Sequence, residues 1–125
     1  MPFHAFMEKP MLDWVTGAAA ATRPGSRFIS FATGSPNDAG ASDGPFSPRV
    51  TCTFAAANSP QMSATNLNAM TLATATAAGT AIGWNLWDAA VNGNRLAYGT
   101  AIGNITCKSG DNISIAAGAL KITLS

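Results

Sequence analysis

This sequence has unusually few charged residues. Asp, Glu, Lys and Arg make up 10% of its 125 residues, whereas an average soluble domain has about 25%. Seven basic and six acidic residues leave a net charge of +1, and the basic residues are scattered singly along the chain. A nucleic-acid partner requires a run of basic residues that neutralises phosphates, so the sequence argues against such a partner.

Histidine and cysteine are also scarce, which limits the chemistry that the chain can perform. The single histidine, His4, has no neighbouring residues that would build a Ser-His-Asp or Cys-His catalytic site around it. Cys52 and Cys107 lack the CxxC or Cys/His spacing of a zinc site. Both cysteines fall in predicted strands with apolar neighbours. This favours buried free thiols, with a disulfide between them or to a neighbouring subunit as the alternative.

The acidic residues do not form a recognisable reaction centre either. A glycosidase needs two carboxylates flanking one bond, and no two of the six acids form such a pair in the sequence. Asp88 and Asp111 lie in predicted turns, where Asp is common because it hydrogen-bonds locally. The segment with Asp38 and Asp43 lacks the alternating oxygen ligands and the closing Glu of a calcium loop. We therefore expect no enzymatic activity, no catalytic residue, no metal site and no cofactor.

One uncharged stretch is long enough to resemble a membrane span. Residues 69–87 carry no charge, but their Thr, Gly and Asn content favours a pair of strands over a bilayer helix. At the N-terminus, Glu8 and Asp13 interrupt any apolar signal sequence, and Pro10 breaks it. We expect no membrane partner, and we expect the protein to stay in the compartment where it is made.

Small, weakly polar side chains take the place of the missing charge. Apolar residues, Ala included, make up 47% of the chain, and Thr, Ser, Gly and Asn fill much of the remainder. Such side chains lose little rotamer entropy and little solvation when another protein covers them. The composition favours a surface that is buried in an assembly, and the alternative is a small β protein with a neutral surface.

One helix is predicted, within residues 2–17. Pro10 is suited to the first turn of a helix and Gly17 to the position after its end. Four apolar side chains recur at helical spacing on one face, namely Met7, Met11, Trp14 and Val15. Either the helix closes one end of the core, with Trp14 as a plug, or it is an arm that docks on a partner.

The pattern of the rest of the chain predicts seven or eight short strands separated by turns. The predicted strands are 26–33, 49–57, 66–74, 81–88, 95–101, 102–107, 112–116 and 119–125. A Gly- and Pro-rich loop of residues 34–48 separates the first two and is a candidate contact loop. We predict an all-β fold, an antiparallel β-sandwich or jelly roll with one short N-terminal helix. Residues 1–17 are then an arm and helix, and residues 18–125 a single β-sandwich domain.

Two tryptophans alternate on one predicted strand, so they point to opposite faces of the sheet. Trp84 and Trp87 are three residues apart, and period-2 geometry places one in the core and the other outside it. Tryptophan is enriched at binding hot spots. The outer tryptophan is therefore a candidate interface anchor, or alternatively a stacking platform for a sugar.

The C-terminal part of the chain resembles a group of small bacteriophage virion proteins. These carry an aromatic-rich strand ending in Asp-Ala-Ala, a Gly-Asn-x-Leu hairpin return, a Gly-Asp turn and a final Ala-Ala-Gly-Ala-Leu strand. The matching segments here are Trp87-Asp88-Ala89-Ala90, Gly93-Asn94-Arg95-Leu96, Gly110-Asp111 and Ala116-Ala117-Gly118-Ala119-Leu120. Leu12-Asp13 and the strand from Arg27 to Phe31 fit the N-terminal part of the same pattern. This sequence departs from the pattern in residues 55–81, which are rich in Ala and Thr.

The resemblance implies a structural protein located in the virion and assembled in the host cytoplasm. Our leading expectation is a capsid decoration or cement protein that binds the assembled head. The Ala- and Thr-rich segment 55–81 favours this role, because a receptor-binding surface would need exposed aromatic side chains and more varied polar ones. The alternative is a tail-fibre, collar or baseplate component, with host-glycan binding as an added function. A secreted lectin-like module is a weaker third hypothesis.

The expected partners are the major capsid protein or other virion proteins, together with further copies of the chain in a dimer or trimer. The candidate partner-binding residues are Phe3, Phe6, Met7, Pro45, Phe46 and Trp87.

Overall fold

The protein has a mostly β fold with antiparallel sheets and one short helix. The computed structural model describes residues 3–20, 25–34, 36, 40, 49–57, 63–67, 69–71, 77–99, 105–111 and 114–123. The helix is α1 (Ala5–Thr16). The ten described strands are β1 (Phe28–Ala32), β2 (Val50–Thr51), β3 (Ser63–Thr65), β4 (Met70–Thr71), β5 (Gly79–Ala81), β6 (Gly83–Trp87), β7 (Arg95–Gly99), β8 (Ile105–Cys107), β9 (Ser114–Ile115) and β10 (Lys121–Thr123).

The strands form one larger sheet and three small ones. The larger sheet has the order β2-β1-β6-β7, and the pairs β10-β3, β4-β9 and β5-β8 form two-stranded sheets. Every described pairing is antiparallel. The predicted β-rich, antiparallel fold with one N-terminal helix is confirmed at this level. The sandwich or jelly-roll arrangement is not confirmed and stays a prediction, as does the domain division at residue 17.

Helix α1 has a defined cap at each end. The Nδ1 atom of His4 accepts a hydrogen bond from the Phe6 N–H at 3.1 Å, which satisfies one of the free donors of the first turn. Gly17 ends the helix in the left-handed conformation, at φ 81°, as its position in the sequence predicts. The expectation for Pro10 is wrong, because this residue lies inside the helix rather than in its first turn. Its missing N–H removes one hydrogen bond from the middle of α1.

The chain before the helix is fastened to strand β7. Phe3 forms an antiparallel bridge with Ala97, and the His4 N–H donates to the Leu96 carbonyl at 2.8 Å. Phe3 and the helix residue Met7 are partly buried and pack against the hydrophobic core. The helix is therefore anchored to the sheet through its N-terminal end.

The core lies on one face of the four-stranded sheet. Cross-strand partners share a face, so Ile29 and Leu86 lie on the same side as Phe31 and Trp84. All four are buried, and so is Cys52 next to β2. Burial alternates along the chain at Cys52, since its neighbours Thr51 and Thr53 are exposed. This alternation is the period-2 pattern that the sequence carries.

A single polar residue ties the chain near β3 to the turn before β10. Asn66 is only 2% exposed, and all of its polar groups are hydrogen-bonded. Its Nδ2 donates to the Ala116 carbonyl, and its Oδ1 accepts from the Leu120 N–H. Its backbone N–H donates to the Leu120 carbonyl, and its own carbonyl accepts from the Gly118 N–H. A buried amide that is fully satisfied in this way fixes one arrangement of the two segments.

Strands β6 and β7 approach so closely that one position has room only for glycine. Gly99 lies opposite Trp84 in the ladder, and a Cβ atom added to Gly99 would lie 2.7 Å from three ring atoms of Trp84. Trp84 is 2% exposed, so its ring cannot move away into solvent. The contact between the Trp84 ring and the Gly99 backbone therefore depends on the absence of a side chain.

We predict that Gly99→Ala destabilises the protein by about 1–3 kcal/mol, the usual cost of overpacking a core. The added methyl group must displace a buried indole that has no space to yield. The free energy of unfolding in denaturant measures the effect.

The matched control is Gly25→Ala, because a Cβ at Gly25 meets nothing within 4 Å. This variant should unfold within about 0.5 kcal/mol of the wild type. Equal destabilisation by both substitutions would show that the Trp84–Gly99 contact is not the cause.

Candidate partner-binding surface

The predicted partner-binding residues fall into three structural groups. Phe3 and Met7 pack against the domain's own core, whereas Phe6 is 45% exposed. Trp87 is partly buried in the four-stranded sheet. Pro45 and Phe46 lie outside the described residues, as does most of the 34–48 loop. The role of all six residues in partner binding stays a prediction, and among the four that the structure describes only Phe6 presents a largely accessible apolar side chain.

The most accessible apolar surface of the described chain belongs to helix α1. No residue of this helix is buried, and Leu12, Trp14 and Val15 are 64%, 65% and 73% exposed. We call Phe6, Leu12, Trp14 and Val15 the helix outer surface. The expectation that Trp14 plugs the core is wrong. The helix is fastened to β7 through Phe3 and His4 at its beginning, so the side chains near its end stand away from the core.

A shallow apolar groove runs along part of this surface. The described residues that line it are Glu8, Met11, Leu12 and Val15, which share one helix face at spacings of three and four residues. Glu8 is the charged residue of this set. The other charges of the helix, Lys9 and Asp13, form an ion pair at 2.6 Å. Their helical positions place this pair away from the groove.

The helix outer surface has an energetic cost in the isolated chain. A helix of 12 residues is marginal in water without tertiary packing, and Pro10 removes one of its internal hydrogen bonds. Exposed apolar patches on a soluble monomer typically mark interaction sites, and Leu12 and Val15 lie side by side in the groove. Its exposed apolar side chains make α1 the strongest candidate for partner binding in the described part of the chain.

Trp87 is engaged within the protein on the sheet face opposite the core. Its Nε1 donates to the Ser30 Oγ at 2.9 Å, and the guanidinium of Arg49 lies 3.6 Å from the centre of its ring. Arg49 also donates to the carbonyls of Ala89 and Asn92, at 2.8 and 2.7 Å. The Arg49 guanidinium covers one face of the Trp87 indole, so a sugar ring cannot stack on that face. The prediction that one of the two tryptophans is a core residue is confirmed for Trp84.

A second arginine organises the same sheet face. Arg95 is 6% exposed; it donates to the Asn85 Oδ1 at 2.9 Å and to the Gly40 carbonyl at 3.0 Å. Its guanidinium also lies 5.0 Å from the ring centre of Tyr98, within cation–π range. Through Gly40, this contact connects the long loop after β1 to the sheet. The sequence could not indicate these partners, because they are far apart along the chain.

The acidic residues of two turns accept hydrogen bonds from backbone N–H groups of the same turns, as the sequence predicts. The Asp88 carboxylate accepts from the N–H and from the Nδ2 of Asn94. It thereby closes a loop in which Asn92 and Gly93 both have positive φ. The Asp111 carboxylate accepts from the Lys108 N–H at 2.8 Å. These two carboxylates are structural.

Cys52 is a buried free thiol. Burial raises its pKa to about 11, with a smaller opposing effect from the positive charge of Arg27. The thiolate, which is the reactive form, is therefore rare at neutral pH. The side chain of Cys107 lies outside what the structure describes, so the state of that thiol stays a prediction.

The described residues form neither a metal-binding cluster nor a membrane-spanning helix. Among them, no three His, Cys, Asp or Glu side chains are grouped closely enough to hold a metal ion. Within the same residues, no helix is sufficiently long and apolar to span a bilayer.

We predict that the buried Cys52 thiol makes stability depend on pH in the alkaline range. Its pKa is about 11 in the folded state against 9.0 for an ordinary thiol. Its contribution to stability is therefore complete below pH 9 and is lost as the pH rises through 11. At about pH 10 the wild type should have lost about 1 kcal/mol relative to Cys52→Ala. Denaturant unfolding of both proteins at pH 7.5 and pH 10 measures this, and parallel losses in the two proteins would contradict it.

We predict that Arg49→Leu destabilises the loop after β6 and opens the Trp87 ring to water. The substitution removes two hydrogen bonds and one cation–π contact, so we expect a loss of about 1–3 kcal/mol and a red shift of Trp87 emission. Fluorescence is measured in a Trp14→Phe background, since Trp14 is exposed. Lys108→Leu, which removes an exposed cation in another turn, is the control and should change neither property. An unshifted spectrum in Arg49→Leu would show that the stack is absent in solution.

Comparison with known proteins identifies the family. The family model described as podophage GP4 fiber I protein gp80 matches residues 2–123. No curated protein matches the chain. The family match covers the helix and all ten described strands, and it agrees with the resemblance to phage virion proteins seen in the sequence. The chain belongs to the podophage GP4 fiber I protein gp80 family and is a structural protein of a bacteriophage virion.

Proposed function

We propose that this protein is a structural component of a podophage tail fibre. The observation that carries the proposal is the family match, which spans residues 2–123 and whose description names a fibre protein. Of the two roles that the sequence leaves open, this description favours the fibre, collar or baseplate component over the capsid decoration protein. The low content of charged residues suits either role, so composition does not decide between them.

The proposed role is to hold its place in the fibre by burying apolar surface against other virion proteins. Charged residues are only 10% of the chain, so covering its surface requires little desolvation of charge. The helix outer surface supplies apolar contact area, and its anchorage to β7 through Phe3 and His4 fixes where the helix stands on the sheet. A surface held by a folded sheet binds with less loss of conformational entropy than a flexible arm.

The proposal includes no catalytic step. The side chains that chemistry would use have structural tasks in the described residues. His4 caps the helix, Asp88 and Asp111 close turns, and Cys52 is a buried thiol of raised pKa. The proposal also assigns no glycan to Trp87, because Arg49 covers one face of its ring.

Quantitative mass spectrometry of purified virions, combined with antibody labelling in electron microscopy, tests the proposal. We expect a copy number that is a small fraction of that of the major capsid protein, and label at the tail. The major capsid protein and an established tail protein serve as internal standards. Label over the head, with a copy number near that of the capsid protein, would contradict the fibre role and restore the decoration hypothesis.

A further inference from the structure

We propose that Phe3 and His4 close the outer edge of strand β7 against pairing with a strand of another chain. This contact protects the sheet wherever the protein lies in the virion, so it does not depend on the fibre role. The composition of β7, the contacts of the two residues and the start of helix α1 directly after them support it.

The two outer strands of the four-stranded sheet differ in length. β2 and β7 lie at the two ends of the strand order, and they have two and five residues. The edge of an outer strand presents N–H and C=O groups that can pair with another chain, and a very short outer strand limits this pairing. The length of β2 therefore protects it, whereas β7 is long enough to require a cover.

The side chains of β7 give the strand little protection of their own. Proteins often protect such edges with charged side chains or proline, but residues 96–99 include neither. Arg95 is the charged residue of the strand, and it is buried on the polar face of the sheet, where it bonds to Asn85. A net charge of +1 adds little repulsion between copies of the chain.

Phe3 and His4 cover the edge of β7 with backbone and side-chain contacts. Phe3 forms an antiparallel bridge with Ala97, and its side chain packs against the core. The His4 N–H donates to the Leu96 carbonyl at 2.8 Å. The His4 ring lies edge-on to the Tyr98 ring, with 6.4 Å between the ring centres, an arrangement that aromatic pairs prefer. The two residues thus occupy the position that a strand of another chain would need.

The helix that follows prevents this cover from becoming a new sheet edge. Helix α1 begins at Ala5, directly after the extended backbone of His4. A helix bonds its backbone groups internally, and a helix over an outer strand is one of the ways in which proteins protect a sheet edge. The His4 side chain caps the helix, so one residue both ends the cover and starts the helix.

Substitutions of His4 in the full chain test the inference, because they separate its backbone N–H from its side chain. The backbone of His4 has φ −70°, which proline adopts without strain. His4→Pro loses both the N–H that bonds to Leu96 and the side-chain cap. The matched control is His4→Ala, which loses the side chain and keeps the N–H. Circular dichroism checks that both variants are folded.

Hydrogen exchange measured by mass spectrometry at low protein concentration reports on the edge. We expect residues 95–99 to exchange about fivefold faster in His4→Pro than in His4→Ala, the usual effect of losing one hydrogen bond. Exchange in β1 should be the same in both variants.

At high concentration, the exposed edge should pair with β7 of another copy. We expect residues 95–99 of His4→Pro to become protected again as the concentration rises. In sedimentation velocity, His4→Pro should associate more strongly than the wild type, whereas His4→Ala should not.

Phe3→Ser is a second variant, which loses the aromatic anchor and keeps the His4 N–H. It should show the same two effects to a smaller extent, and it decides the question if His4→Pro does not fold. Equal exchange in His4→Pro and His4→Ala, or faster exchange without association at any concentration, would overturn the inference. In the absence of a folded His4→Pro, a Phe3→Ser protein with neither effect would do the same.

Discussion

The contact on which the described fold depends is the Trp84 ring lying against the bare backbone of Gly99. It sets how closely β6 and β7 approach, because a side chain at Gly99 would occupy the space of the ring. The approach fixes the register of β7, with Trp84 opposite Gly99 and Trp87 opposite Arg95. A one-residue slip would exchange the two faces of the strand, so the ring also determines which side chains of β7 enter the core.

That register separates an apolar face from a polar one and fastens the helix to the same strand. The irregularity between Leu86 and Trp87 places Arg95 beside Trp87 on the polar face, where it bonds to Asn85. On the free edge of β7, the Leu96 carbonyl accepts from His4, which in turn caps α1. The position of the helix is therefore a consequence of the packing between β6 and β7.

The sequence predicted the features that depend on local pattern, and it missed those that depend on distant partners. Alternation indicated β1 and β6, Gly17 indicated the helix end, and Asp88 and Asp111 indicated turns, because each signal lies within a few residues. The exposure of Trp14 was missed, since a hydrophobic residue at helical spacing looks the same whether its face meets a core or a solvent. One signal was available: apolar residues occur on more sides of α1 than a single core contact can cover. The stack of Arg49 on Trp87 joins residues 38 positions apart, and no local pattern encodes it.

An apolar helix surface is retained in a folded protein only where something outweighs the cost of hydrating it. Helix α1 gains little from the core, since none of its residues is buried, and Pro10 weakens its internal hydrogen bonding. The caps at His4 and Gly17 and the anchorage to β7 keep it formed in the isolated chain. A virion protein reaches its final state only within an assembly, where many weak contacts act together. In that setting Leu12, Trp14 and Val15, which make few contacts within the chain, are the residues that we propose contact other proteins of the virion.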